Sequence, residues 1–494
     1  MIKILLVRYL IVIVATILFL IFTFSSSQRT PQVQAPSSVK PNSPTTEKPS
    51  ARDVKIEDVQ FPEEFFFGTA SSDFQTTSGT TNSDWHDFIE KTKRESPKDK
   101  IILPGNGTDF LSRYKEDFDA AQEIGIQMHR ISLEWARLQP EENKWDHAAA
   151  RKYIEIFKYM RSKGVEPMIC LNHFSLPNWF VAKGSWTNQT SARDYARYAK
   201  LVAEHIGRPA KIKWWLTFNE PQIILGQGYL KGEWPPFLEI KSYNDSLGTK
   251  RFIEVTGRML DGHRLAYREI HKMIPNAMVG FASAPGAFYP KDPKSSLDQM
   301  AVNVFNALYG LTIDNMVGSD RDFIGINYYG RNKLKLHVSV GKQIISWLTN
   351  NQPFAVEWET PNQRKQGNRP REFYPQGLYD LIMQFKSADV PIIITENGLN
   401  DGSDTFREEF LTIHLKAVTD AIEDGADVRG YMYWALTDTW EWDGFFSHFG
   451  LIAINHENNL ARSIRPSAHT YGEIIKTKTL RKELLEKHRE LIVN

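Results

Sequence analysis

The feature that most constrains the fold of this chain is an eightfold alternation of strand-like and helix-like stretches. The strand-like stretches are short, mainly apolar runs at Phe65–Thr69, Gln127–Leu133, Glu166–Leu171, Trp214–Phe218, Met278–Ala282, Phe323–Asn327, Pro391–Thr395 and Tyr431–Leu436. Helical patterns lie between them, such as Asp109–Ile124, Ala148–Lys163, Ala192–Ile206 and Phe406–Glu423. Eight consecutive strand-then-helix units predict an α/β fold, a single (β/α)8 TIM barrel.

Composition and motif content further restrict the possible folds and functions. A doubly wound open sheet is the alternative fold, but it would need a glycine-rich phosphate turn after an early strand, and the sequence has none. The 494-residue chain has a formal net charge of +1, which argues against a nucleic-acid partner. The single cysteine, Cys170, excludes an internal disulfide and lies in an apolar run, where a small core residue is expected.

The N-terminal part has a different composition from the predicted barrel. Lys3 and Arg8 precede an apolar run. Residues 1–24 are therefore predicted to form an uncleaved membrane anchor, and a cleaved signal peptide is the alternative. Residues 25–58 are rich in Ser, Pro, Thr and Gln and predict an extended linker, because they contain too few apolar side chains to offset the entropy of ordering.

Basic residues ahead of an apolar run orient the remainder of a chain away from the cytoplasm. The folded domain, residues 59–494, is therefore expected on the extracytoplasmic side of a membrane, held there by the N-terminal helix. It would be secreted instead if the N-terminal segment were cleaved.

Two motifs place a glutamate at the end of a predicted strand. Glu220 stands in the motif Thr-Phe-Asn-Glu-Pro after the fourth strand, and Glu396 stands in Ile-Thr-Glu-Asn-Gly at the seventh. Since the carboxyl ends of barrel strands converge on one face, both glutamates are expected at the barrel mouth. Paired carboxylates at such a site are typical of enzymes that cleave glycosidic bonds. The plainer interpretation is that each glutamate caps a helix or pairs with a surface lysine.

These motifs, in their order and spacing, resemble the two signature segments of glycoside hydrolase family 1, the β-glucosidase-like family. The resemblance extends from Phe65 to about Pro466 and is closer to the archaeal and membrane-associated branch. It implies a retaining exo-β-glycosidase for terminal β-glucosides or β-galactosides, with Glu220 as acid/base and Glu396 as nucleophile. Such chemistry needs carboxyl groups about 5–5.5 Å apart. The negative charge of Glu396 is expected to raise the pKa of Glu220.

The resemblance also implies roles for further residues and no metal or cofactor. Arg130, Tyr329 and Asn327 match positions that support the nucleophile. The positions that match sugar-binding residues are Gln75, His173, Asn219, Trp434, Glu441 and Trp442. Without the resemblance, each of these side chains would equally fit a core position or a salt bridge.

Two positions depart from the usual pattern of the family. Thr77 stands where a glutamate is usual after Gln75, and Phe174 stands where a tryptophan is usual after His173. The second change removes an N–H donor, so the pocket is expected to hold one hydroxyl less firmly or to accept a different sugar. Glu441 argues against a 6-phosphorylated sugar, because a carboxylate would repel phosphate.

Three other functions stay open at the level of the sequence. A membrane-associated transglycosylase would pass the sugar to a glycolipid instead of water, an inverting hydrolase would release the opposite anomer, and a sugar-binding module would not turn over substrate. The last usually lacks a catalytic glutamate, and this chain has both. The sequence does not determine which sugar is bound, the aglycone or the oligomeric state.

Overall fold

The structure is a computed structural model that describes residues 55–77, 81–95, 107–240, 246–306, 317–338, 354–359, 369–442 and 445–493. The predicted membrane anchor and most of the predicted linker, residues 1–54, lie outside the described residues. Within the described ranges no helix is both long enough and apolar enough to cross a bilayer. The compact unit that contains the barrel begins at Lys55. Ile56, which the sequence analysis assigned to the linker, is only 6% exposed and packs in the core.

Eight parallel strands close into a barrel, which confirms the predicted fold. The strands are β1 (Phe66–Ser71), β2 (Met128–Ser132), β3 (Glu166–Cys170), β4 (Trp214–Asn219), β5 (Met278–Ser283), β6 (Ile324–Asn327), β7 (Ile392–Asn397) and β8 (Val428–Trp434). Each strand pairs with the next along the chain, and β8 pairs with β1 to close the barrel. The last strand begins three residues before the predicted start at Tyr431.

Helices surround the barrel. The α-helices are Asp73–Thr76, Asp84–Glu95, Phe110–Ile124, Trp135–Leu138, His147–Ser162, Asn178–Ala182, Ser191–Val202, Pro221–Ile223, Ser246–Met273, Ser296–Phe305, Pro375–Phe385, Arg407–Glu423, Pro466–Thr477, Lys482–Lys487 and Arg489–Val493. Two π-helical segments, Ala203–Gly207 and Ile224–Lys231, and a 3₁₀ turn at Ser185–Thr187 complete the set in the described part of the chain. The four helices that the sequence predicted are all present, although the third passes into a π-helical turn after Val202.

The barrel strands are buried on both faces, which explains their nearly continuous apolar sequences. Their inward side chains form an interior core that includes Met168, Leu216, Ile393 and Met432. Cys170 belongs to this core, is fully buried, and has a pKa that burial raises to about 12. It is therefore an unreactive packing residue, as the sequence predicted.

Shorter strands form separate small sheets outside the barrel. The first and last strands of the described part of the chain, Val59–Gln60 and Thr479–Leu480, form a two-stranded sheet. A three-stranded sheet joins Ala287–Pro290, Arg331–Val338 and Phe354–Glu359. Two antiparallel pairs follow β8, Thr439–Glu441 with Phe445–Ser447 and Ile452–Asn455 with Ala461–Ile464. The first pair carries Glu441 and so places this residue at the end of the barrel where the strands terminate.

Candidate active site

The residues singled out from the sequence collect at the carboxyl ends of the barrel strands. Asn327 and Trp434 are the last residues of β6 and β8, and Glu396 is the penultimate residue of β7. Glu220 directly follows β4. This is the face on which (β/α)8 barrels carry their active sites.

Glu396 is held by a cation and a phenol. The guanidinium of Arg130 donates from Nη2 to Glu396 Oε1, and the hydroxyl of Tyr329 donates to Oε2 at 2.6 Å. Arg130 is fully buried and Glu396 is 4% exposed, so little water competes for these bonds. Burial, followed by the charge of Glu396, raises the pKa of Tyr329 well above its usual value, which keeps the phenol protonated as the donor. Both oxygens of Glu396 are thus bonded to donors, which fixes the orientation of the carboxyl group.

Glu220 has the opposite environment. Its Oε1 accepts a hydrogen bond of 2.8 Å from Asn327 Nδ2, and no cation among the described residues forms an ion pair with it. Burial raises the pKa of Glu220 to about 8, and the charge of Glu396 adds to that shift, while the bond from Asn327 and the charge of Arg130 oppose it. The sequence analysis attributed the raised pKa to repulsion by Glu396, whereas desolvation is the larger cause. Glu220 therefore holds a proton at neutral pH.

The backbone at Glu220 is unusual as well. Its φ of 46° and ψ of 59° lie in the left-handed region, which a side chain with a Cβ rarely occupies. The N–H of Glu220 donates to the carbonyl of Ala282 at 2.8 Å, and Pro221 starts the next helix. These two restraints turn the chain sharply at the end of β4 and hold the glutamate at the rim.

An amide network links the two glutamates. Asn219 Oδ1 accepts from Arg130 Nη1 at 3.0 Å and from Asn327 Nδ2 at 3.1 Å. Asn327 also bonds to Glu220, and Arg130 bonds to Glu396, so the polar chain runs without a break between the carboxyl groups. Buried hydrogen-bond networks of this kind fix side-chain positions in a core.

His173 supplies a donor with no protein partner. Its Nε2 accepts from Asn219 Nδ2 at 3.2 Å, which leaves the proton of a neutral ring on Nδ1. Burial, assisted by Arg130, lowers the pKa of His173 well below its usual value, so the ring is neutral. Nδ1 is buried and makes no hydrogen bond within the described part of the protein. This N–H is suited to a substrate hydroxyl.

The remaining predicted sugar-binding residues lie beside this histidine. Trp434 is stacked on the His173 ring with centroids 5.8 Å apart, and Trp442 lies 6.0 Å from the same ring on a nearly parallel plane. Gln75 Nε2 donates to the carbonyl of Trp440 at 2.7 Å and to Glu441 Oε2 at 3.3 Å. Gln75 is fully buried, so in this structure it orients Glu441.

The sequence analysis missed one polar cluster that supports the site. Asp73 is fully buried and accepts from Arg137 Nη2 at 2.9 Å, Thr77 Oγ1 at 2.7 Å and Tyr153 Oη at 2.6 Å. Asp73 thus places a buried carboxylate one helical turn before Thr77, the position that departs from the family pattern. The spacing gave a signal for this, because residues four apart in a helical turn lie on the same face.

The comparisons with known proteins agree with this geometry. The sequence profile of glycosyl hydrolase family 1 matches residues 57–318 and 312–480. A β-galactosidase from Pyrococcus woesei is 28% identical over 518 residues, covering 86% of this chain and 99% of that protein. A galactolipid galactosyltransferase, SFR2, from Arabidopsis thaliana is 31% identical over 392 residues, covering 76% of this chain and 59% of that protein. The solved structure of a β-glycosidase from Pyrococcus horikoshii matches with a TM-score of 0.75 at 31% identity, covering 87% of this chain and 98% of that one. The chain belongs to glycosyl hydrolase family 1.

Proposed function

We propose that this protein is a retaining exo-β-glycosidase that works by double displacement. Glu396 attacks the anomeric carbon while Glu220 gives its proton to the leaving oxygen, and water then attacks the glycosyl-enzyme with Glu220 as base. The observation that carries the proposal is the contrast between the two carboxyl groups. Glu396 is bonded to a guanidinium and a phenol, whereas the pKa of Glu220 is raised to about 8. One carboxyl is thereby prepared as a nucleophile and the other as an acid.

Sugar recognition follows from the polar groups around Trp434. The Nδ1–H of His173 donates to one hydroxyl, and the Glu441 carboxylate, held by Gln75 and Ser447, accepts from neighbouring hydroxyls. The indole of Trp434 faces the apolar C–H side of the pyranose. Donor, acceptor and apolar face together select a terminal sugar of one stereochemistry.

A panel of aryl β-glycosides with NMR detection of the first anomer formed tests this proposal. We expect turnover of a β-glucoside or β-galactoside with the β-anomer released first. Glu396→Ala is expected to lose turnover, and azide is expected to restore it with an α-glycosyl azide as product. The exposed Glu457→Ala is the matched control and keeps the normal rate. Release of the α-anomer by the unaltered protein would assign an inverting mechanism instead.

A second candidate is a transglycosylase that acts on a membrane glycolipid. The Arabidopsis relative, a galactolipid galactosyltransferase, favours it, and it would accord with the membrane anchor predicted for residues 1–24. A glycolipid supplied as both donor and acceptor in vesicles separates the two activities. Sugar that appears on lipid supports the transferase, and free sugar as the sole product supports the hydrolase.

The cellular location of the protein is also part of the proposal. We assign residues 1–24 to a membrane anchor, residues 25–54 to a linker and the compact unit, residues 55–494, to a catalytic domain outside the cytoplasm. The charge order around the apolar run supports this assignment. Protease treatment of intact cells, followed by alkaline carbonate extraction of the membranes, tests it. Cleavage in intact cells together with resistance to carbonate is the expected result, and a protein released by carbonate would contradict the anchor.

A further inference from the structure

Arg371 is a cation that no carboxylate in the described part of the chain neutralises. It lies just before the helix Pro375–Phe385, and its Nε atom is buried and makes no hydrogen bond with any described residue. Burial lowers the pKa of Arg371 to about 10, so its guanidinium remains charged at neutral pH. Enclosing a charge without a counter-ion is costly, and charged groups in such surroundings are concentrated at functional sites.

Three aromatic rings and one carbonyl group surround the Arg371 guanidinium. Its central carbon lies 5.9 Å from the ring centroid of Tyr329, 5.3 Å from that of Phe410 and 6.0 Å from that of Phe449. Its Nη2 donates to the carbonyl oxygen of Gly398. Because the face of an aromatic ring attracts a cation, these contacts offset part of the cost of enclosing the charge.

Two of these contacts lead directly to Glu396, the proposed nucleophile. The hydroxyl of Tyr329 donates to Glu396 Oε2 at 2.6 Å, so the ring beside Arg371 also holds the carboxylate. Gly398 follows Glu396 by two residues, just beyond the end of β7. Arg371 therefore contacts both the side chain that bonds to Glu396 and the backbone that carries it.

We propose that Arg371 is a positioning residue for the nucleophile, which it aligns through the ring of Tyr329 and the carbonyl of Gly398. The inference rests on the proposed glycosidase function, because it concerns the attack by Glu396. A shift of the Tyr329 ring moves its hydroxyl away from the carboxylate, and the guanidinium beside the ring opposes that shift. The cation also polarises the phenol, which strengthens its bond to Glu396. Covalent attack needs closely aligned atoms, so lost alignment slows attack more than it weakens binding.

A double-mutant cycle of Arg371→Met and Tyr329→Phe tests this coupling. The measured quantity is the rate at which a 2-deoxy-2-fluoro-β-glycosyl fluoride labels Glu396, detected by mass spectrometry of the labelled peptide. In this reaction a carboxylate oxygen of Glu396 bonds to the anomeric carbon while the carbon–fluorine bond there breaks and fluoride departs. The same step opens hydrolysis and transglycosylation, so the rate reports attack in either case.

Arg371→Met is expected to slow labelling at least about tenfold, while the reagent concentration for half-maximal rate stays within about twofold. In the Tyr329→Phe background the same change is expected to slow labelling no more than about threefold, because the hydroxyl through which Arg371 acts is already absent. Thermal melts verify that each variant is folded. Arg371→Gln, which keeps a donor for Gly398, takes the place of Arg371→Met under the same criterion if the latter does not fold.

Arg331→Met is the matched control. The Arg331 guanidinium also lies against a ring, 3.8 Å from the centroid of Tyr374, but it forms an ion pair with Glu372. Any change in labelling rate that Arg331→Met causes is expected to be the same with and without the Tyr329 hydroxyl.

The outcomes separate this inference from the proposed glycosidase. Equal slowing by Arg371→Met in both backgrounds overturns the inference, and so does a labelling rate that Arg371→Met leaves unchanged. A loss that appears only in the concentration for half-maximal rate also overturns it, because it assigns Arg371 to binding. In all three cases the unaltered protein is still labelled at Glu396 and the glycosidase stands. An unaltered protein that is not labelled at Glu396 contradicts the proposed glycosidase, and the inference fails with it.

Discussion

Glu220 and Glu396 carry the same carboxyl group, and the difference between them comes from a few neighbouring atoms. Arg130 and Tyr329 bond directly to Glu396, while Glu220 receives a single neutral bond from Asn327. A buried guanidinium and carboxylate gain little net stability from each other, because both lose their hydration. We therefore interpret the Arg130–Glu396 pair as a device that fixes charge and orientation rather than as a source of stability.

The raised pKa of Glu220 predicts the basic limb of the pH–rate profile. Because protonated Glu220 is the form that assists departure of the leaving group, kcat/KM is present below its pKa and is lost as the pH rises through about 8. Glu220→Gln is expected to lack this limb and to be slower by about 10²–10⁴-fold on alkyl glycosides. The loss is smaller for an activated phenol leaving group, which needs little acid assistance.

Profiles of kcat/KM between pH 5 and pH 10, for both substrate types, check this prediction. Asn327→Ala serves as a companion variant. Since the bond from Asn327 lowers the pKa of Glu220, its removal is expected to move the basic limb to higher pH. A basic limb that persists unchanged in Glu220→Gln would remove Glu220 from the acid role.

At the level of elements, the turn after β1 is joined to the helix Trp135–Leu138 through Asp73 and Arg137. Asp73→Ala is expected to destabilise the fold by about 3–5 kcal/mol, because it leaves a largely buried guanidinium without its carboxylate. Asp119→Ala, which breaks a more exposed pair with Lys163, is the control and is expected to cost about 1 kcal/mol or less. Urea denaturation of both variants measures the two losses of stability, and equal denaturation midpoints would contradict this prediction. Adding Thr77→Glu to Asp73→Ala is expected to recover part of the loss.

The contact between the ends of β7 and β8 depends on a glycine. An ideal Cβ at Gly398 would lie 1.8 Å from the carbonyl oxygen of Trp434, a distance that neither backbone can relieve without moving. Gly398→Ala is therefore expected to cost about 3 kcal/mol or more and to lower expression of folded protein. Gly257→Ala is the control, because its Cβ meets nothing within 4 Å in the helix Ser246–Met273, and it is expected to gain about 0.5–1 kcal/mol. Thermal melts of the two variants that shift in the same direction would contradict this account.

The strands and the two glutamates were predictable because local pattern determines them. Alternating apolar runs and helical periodicity reveal each β/α unit, and a strand-terminal glutamate reaches the active face by topology alone. The start of β8 was missed because Arg429 and Gly430 interrupt its apolar sequence. Gly430 is required there since a Cβ would lie 2.2 Å from the ring of Phe66. Contacts such as that of Gln75 with Glu441 join distant parts of the chain, so no local pattern reports them.

At the scale of the whole molecule, the compact unit begins at Lys55 and includes four residues that the sequence analysis assigned to the linker. Removal of residues 1–54 is expected to leave an active protein that remains in solution without detergent, because the compact unit starts at Lys55. Removal of residues 1–58 also deletes Ile56, which is buried, and Asp58, whose carboxylate accepts from Lys482 N–H at 2.7 Å. The longer deletion is expected to be less stable by about 2 kcal/mol. Melting temperatures and specific activities of both forms check this, and an inactive or insoluble shorter deletion would contradict it.

The pairing of β8 with β1, and of Val59–Gln60 with Thr479–Leu480, has a consequence for biogenesis. The barrel lacks a closing partner for its first strand until β8, which ends at Trp434, has been synthesised. The sheet therefore stays open through most of translation. A nascent chain halted before β8 is expected to leave the first strand unpaired on one side, because Phe66–Ala70 finds its second neighbour only in Gly430–Trp434.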